Sequence, residues 1–133
     1  MPYVQSQTAK IYYESHGQGP AILFVHGAGG NHAAWWQQTA HFMADHRVLT
    51  VDLRGFGNSD SVPEGPDAQD FPLDVLAALD HAQVERVVFV GQSIGAATAL
   101  KAALRAPQRT AGVILAHSLG GISHPELVPL VKA

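Results

Sequence analysis

Residues 87–100 read VVFVGQSIGAATAL, which sets Ser93 in the pattern Gly91-Gln92-Ser93-Ile94-Gly95 directly after a β-branched run. A serine between glycines, at the junction of an expected strand and an expected helix, has the form of a G-x-S-x-G nucleophile elbow. Such a turn strains the serine backbone, and the flanking glycines let strand and helix approach without a Cβ in the way. It would lift the hydroxyl above the C-terminal edge of a sheet, at the N-terminus of a helix whose free N–H groups favour negative charge. The chemistry that needs this is nucleophilic attack on an acyl carbon. The competing structural reading is a small residue capping an ordinary helix.

A tetrahedral acyl intermediate also needs two N–H donors aimed at its oxyanion, each commonly worth ~2.7–4 kcal/mol. Ile94, the residue after Ser93, is one candidate donor. His26-Gly27-Ala28-Gly29-Gly30 follows another apolar run, Ala21–Val25, and Ala28 is the candidate for the second. A nucleotide-binding βα turn would require G-x-G-x-x-G, and this glycine spacing does not supply it.

A third loop, Asp52-Leu53-Arg54-Gly55-Phe56-Gly57-Asn58-Ser59-Asp60, follows the run Arg47–Val51. Its glycines suit a sharp turn. Asp52 and Arg54 are expected to form a hydrogen-bonded pair there, with a structural rather than catalytic role favoured.

The elements needed to hold these loops can be read from periodicity. Lys10–Glu14, Ala21–Val25, Arg47–Val51, Arg86–Val90 and Thr110–Ala116 read as strands, with a turn at residues 16–20. The uninterrupted apolar run AILFV is the pattern of a strand covered on both faces. Asn31 should cap a helix over 32–44, with Trp35, Trp36, Thr39, Phe42 and Met43 inward. Asp70 should cap a second helix carrying Pro72 in its first turn, with Val75, Leu76, Leu79 and Ala82 inward and Asp74, Asp80 and His81 outward. A third, alanine-rich helix is expected over 94–105. The alternation from Ala21 onward predicts an α/β fold, a mostly parallel sheet with helices on both faces.

Composition narrows the partners. The 133 residues are 47% hydrophobic and 14% charged with a net charge of -3 and no cysteine. That describes one globular domain, without the basic patch that nucleic acid requires. Disulfide and thiolate metal sites are excluded, and no two histidines have the H-x-x-x-H spacing of a zinc site. No cofactor is expected, and no metal. The N-terminal residues lack a signal-peptide pattern and no run approaches a ~20-residue membrane span, so a soluble, cytoplasmic protein is expected.

HGAGG, DLRGFGNSD and GQSIG, in this order and at these separations, resemble the α/β-hydrolase superfamily. The likeness is nearest to the small cofactor-free bacterial esterases, lactonases and perhydrolases with a serine nucleophile, and it runs over essentially the whole chain. It departs mildly at Ala96, where many relatives have a further glycine. The resemblance implies a first strand near Tyr3–Gln7, with the strands above as the second to sixth. It also implies Ser93 as nucleophile, since relatives that hydrolyse epoxides or haloalkanes carry aspartate at the elbow. The substrate would then be a small-molecule acyl compound. In this superfamily the acid follows the seventh or sixth strand and the histidine follows the eighth.

Residues 1–133 contain neither partner where the family places it, and His117, after the sixth strand, is the only tempting substitute. The chain is therefore expected to be the N-terminal part of a hydrolase domain truncated after the sixth strand, with 118–133 beginning a lid region. The sixth strand would form an open, apolar edge that a second chain or subunit completes. Three readings compete: a serine hydrolase completed from outside residues 1–133, an inactive half-domain that binds or dimerises, and a C–C bond hydrolase or perhydrolase of the same fold.

Overall fold

The computed structural model describes residues 2–117. The expected lid region, 118–133, lies outside the described residues. Six strands, β1 (Tyr3–Ser6), β2 (Ala9–His16), β3 (Ala21–Val25), β4 (Arg47–Val51), β5 (Val87–Gln92) and β6 (Thr110–Ala116), form one sheet. Three helices connect them: α1 (Trp36–Phe42), α2 (Phe71–His81) and α3 (Ile94–Arg105). The strand order is β1-β2-β4-β3-β5-β6. β1 and β2 pair antiparallel, as do β2 and β4, while every pairing among β4, β3, β5 and β6 is parallel.

Alternation along β3 shows how the sheet is covered. Leu23 and Val25 belong to the core under α2 and α3, whereas Ile22 and Phe24 join Trp35 and Val48 on the α1 face. Both sets are buried, which is why AILFV carries no polar residue. Leu23, Leu49 and Phe89 are fully buried, each worth ~1.5–3 kcal/mol of apolar burial. Among the described residues the α1 face is only partly covered, leaving an apolar groove of about 360 Å³ between α1 and β6. Among the described residues β6 pairs with β5 alone, and Ile114 is 55% exposed beside it.

Five expectations require correction. The helix expected over 32–44 is a 3-10 turn, His32–Trp35, followed by the seven-residue α1. Asn31 does cap it, its side chain accepting from the Ala33 N–H at 2.8 Å. Trp35 and Phe42, two turns apart, face the sheet. Trp36 and Met43, each one residue further on and about 100° round the helix, are instead 67% and 42% exposed.

Asp74, expected outward, is fully buried. Its carboxylate accepts from Arg54 Nε at 2.8 Å, Arg54 Nη2 at 2.6 Å and Ser6 Oγ at 2.5 Å. Arg54 is consequently not paired with Asp52. The chain turns at Leu53–Phe56, where the Phe56 N–H reaches the Leu53 carbonyl, and this swings the guanidinium to α2. Asp70, expected as a side-chain cap, has helical backbone angles and makes no capping bond. Its carboxylate lies 3.3 Å from Arg54 Nη1 instead. Hydrogen bonding to Asp74 raises the Arg54 pKa further, against the effect of burial.

This network ties the 52–60 loop to β1 and α2. Asp74→Ala should lower stability by about 3–5 kcal/mol, because a buried guanidinium loses its main partner. Replacing Arg54 with methionine as well should recover part of that loss, a coupling that denaturant midpoints of the three variants will measure.

Candidate active site

At the C-terminal end of the parallel strands, β5 runs through Gly91 and ends at Gln92, and α3 begins at Ile94. Ser93 stands between them with φ 56° and ψ −119°. A positive φ is costly for a residue with a Cβ, and the surroundings hold it there. The Ser93 N–H donates to the Ala116 carbonyl at 3.2 Å, and the Ser93 carbonyl accepts from Ala96 at 2.9 Å. The side chain is exposed at the head of α3, whose first amides have no carbonyl within the helix to bond.

The flanking glycines are required by contacts with backbone. A Cβ on Gly91 would lie 2.1 Å from the Gly95 carbonyl oxygen. One on Gly95 would lie 2.3 Å from the Val25 oxygen and 2.4 Å from the His26 oxygen. Gly95 thus keeps α3 close to the end of β3, a strand neighbouring its own, and so brings the HGAGG loop beside Ser93. Gly27 is part of the same contact, for a Cβ there would be 3.4 Å from the Ser93 Cβ. Ala28 is exposed next to it, and among the described residues the amides of Ala28 and Ile94 donate to no carbonyl outside the helices and strands.

His26 is buried beneath this loop. Its Nε2 accepts from the Leu53 N–H at 3.1 Å, and its Nδ1 lies 2.7 Å from the Gly27 oxygen. Burial holds its pKa below the ordinary value of 6.5. The motif pattern placed His26 in the loop, but gave no sign that both ring nitrogens are occupied by backbone.

Asp52, fully buried, fixes the other end of the loop. It accepts from the His32 N–H at 2.6 Å and the Asn58 N–H at 2.8 Å, and His32 Nδ1 lies 2.9 Å away. His32 Nε2 in turn lies 3.3 Å from Glu14, so His32 bridges two carboxylates. Tyr12 donates to Glu14 at 2.5 Å, which lowers the Glu14 pKa and raises that of Tyr12 to about 12. Nothing in the spacing of residues 14, 32 and 52 announced this cluster, since β2 and β4 must first pair to assemble it.

His117 follows the carbonyl that accepts from Ser93, with φ 50°. Among the described residues it makes no hydrogen bond to Ser93. No group of three or more metal-ligating side chains is present among the described residues, and no helix there is long and apolar enough to cross a membrane.

Residues 20–130 match the family model for the alpha/beta hydrolase fold. The chain is 36% identical over 124 residues to 3-oxoadipate enol-lactonase 2 of Acinetobacter baylyi, covering 91% of this chain and 46% of that protein. It is also 36% identical over 107 residues to the pimeloyl-[acyl-carrier protein] methyl ester esterase of Vibrio parahaemolyticus, covering 80% of this chain and 40% of that protein. Among solved structures, Est816, described as an N-acyl homoserine lactone degrading enzyme, is 37% identical with a TM-score of 0.85, over 98% of this chain and 52% of that one. The chain thus spans about half, or less, of the length of the relatives it matches. Motif order, sheet topology and these likenesses agree: the chain belongs to the α/β-hydrolase family and covers the N-terminal portion of that fold.

Proposed function

We propose that this protein is a serine hydrolase of carboxylic esters and related acyl compounds, lactones included, working through an acyl-enzyme on Ser93. The observation that carries this reading is Ser93 at positive φ, exposed at the head of α3, with the HGAGG loop packed against it. Ser93 Oγ attacks the acyl carbon and the carbonyl oxygen becomes an oxyanion. The N–H groups of Ala28 and Ile94 receive that charge, assisted by the α3 dipole. Collapse of the intermediate expels the alcohol and leaves the acyl group on Ser93, and water then cleaves it.

A serine hydroxyl needs a base, and a third group to orient that base. We assign both to residues outside 1–133, contributed along the β6 edge, which pairs with β5 alone among the described residues and exposes Ile114 and Leu115. The described residues give Ser93 no histidine partner, and the relatives are about twice as long or longer. The proposed reaction draws on no cofactor, and the absence of cysteine suits a reducing, cytoplasmic setting.

The test is hydrolysis of a panel by the natively purified protein: short-chain p-nitrophenyl esters, a γ-lactone, and an epoxide as control. Turnover of the esters and the lactone, with the epoxide untouched, is the expected result. Epoxide opening without ester cleavage would overturn the reading, and so would inactivity on the whole panel.

A further inference from the structure

An oxyanion donor acts only if its N–H is already aimed before the charge develops. The loop around Ala28 contains a device for that, resting on the serine-hydrolase reading just given. The Gly27 carbonyl has two donors, the Gly30 N–H at 3.1 Å and His26 Nδ1 at 2.7 Å. Both draw it inward, toward the fully buried imidazole. The Gly27–Ala28 peptide is trans, so its N–H points opposite to its C=O. Holding the Gly27 oxygen inward therefore turns the Ala28 N–H outward, on the exposed side of the loop, beside Ser93.

The imidazole can do this in one form only. Nε2 accepts from the Leu53 N–H, so it must carry the lone pair, and the proton must sit on Nδ1, where it is donated to Gly27. The opposite tautomer would set N–H against N–H at Leu53 and lone pair against lone pair at Gly27. We propose that His26 is a positioning residue: as the neutral Nδ1–H tautomer, clamped between Leu53 and Gly27, it aims the Ala28 amide that would receive the oxyanion. It touches neither substrate nor Ser93 in this role.

The environment favours that form. Burial is the largest influence and holds the imidazole below its ordinary 6.5, opposed by the Gly27 carbonyl and the Asp52 carboxylate at the end of β4. His32, from the 3-10 turn, adds to the downward shift, and the Phe56 ring stands edge-on at 5.4 Å. Because the folded chain resists the proton more than the unfolded chain, the stability this supplies is complete above 6.5 and declines as pH falls below that value. Protonation of Nε2 would expel the Leu53 N–H and free the loop.

Two measurements decide the matter. Long-range proton–nitrogen NMR of histidine-labelled protein at neutral pH should show one imidazole with Nδ1 protonated and Nε2 bare. An Nε2-protonated or doubly protonated His26 would overturn the proposal, even if His26→Ala failed to fold. The second is labelling by a fluorophosphonate, read as separate reversible-binding and bond-forming constants. His26→Ala should lower the bond-forming constant roughly 10–100-fold, less than the ~10²–10³ that follows outright loss of an oxyanion donor, with reversible binding changed less than about twofold. Wild-type labelling with equal labelling of His26→Ala would sink this proposal alone. An unlabelled wild type would sink the serine-hydrolase reading and, with it, the role given to His26.

Discussion

Ser93→Ala is expected to reduce ester and lactone turnover by at least about 10⁴-fold, toward the ~10⁶ that loss of the nucleophile costs a serine hydrolase. Its thermal midpoint should remain close to wild type. The two effects separate because the Ser93 side chain is exposed while its backbone makes the structural contacts, to Ala116 and Ala96. Alanine also has a Cβ, so the strain at φ 56° is the same in both proteins. Parallel rate measurements and thermal melts check it. A large fall in the melting temperature would mean that the hydroxyl holds the turn together, which is the helix-cap reading of the same motif.

Gly95→Val should act in the opposite way, destroying the fold and the activity together. The added Cβ would meet the carbonyl oxygens of Val25 and His26 at 2.3 and 2.4 Å, and both belong to the end of β3. Backbone in the centre of a parallel sheet cannot move aside as a side-chain tip can. Overpacking of side chains commonly costs ~1–3 kcal/mol, and this collision exceeds that range. Set against a total stability of about 5–15 kcal/mol, it should leave little folded protein at 37 °C. Circular dichroism and soluble yield would show this, and a Gly95→Val protein that melts within a few degrees of wild type would refute it. A looser packing at the elbow would also carry the HGAGG loop away from Ser93.

Much of the architecture is legible in the letters because the elements announce themselves through patterns that depend on near neighbours. AILFV has no polar residue since both its faces are covered, and the alanine run of 94–105 suits a helix pressed on a sheet. The motif glycines mark places where backbone meets backbone, since a Cβ at residue 91 or 95 would lie 2.1 or 2.3 Å from a carbonyl oxygen. Strand order is not written locally. That β2 lies beside β4, and β4 beside β3, had to come from the fold itself.

The misread residues are those whose neighbours lie far along the chain. Asp74 looks like a solvated helix position until Arg54 arrives from a loop 20 residues earlier. Asp52 looks like a partner for Arg54 because they are close in sequence, yet the turn at Leu53–Phe56 separates them and gives Asp52 to His32. Trp36 fails for another reason: it follows buried Trp35 by one residue, about 100° round the helix, so both rings cannot face the sheet. His26 shows the limit of motif reading most clearly. A histidine at the head of a glycine-rich loop can be recognised from spacing, but its tautomer follows only from the Leu53 N–H, which the folding of β4 delivers.

The measurement that tests the central claim most directly is peptide mapping of the protein after rapid quenching during turnover of a slow acyl ester. The expected result is an acyl group on the peptide that contains Ser93, accumulating with the first turnover and absent from Ser93→Ala. Steady ester hydrolysis with no acyl group on Ser93, or with the acyl group on another residue, would contradict it.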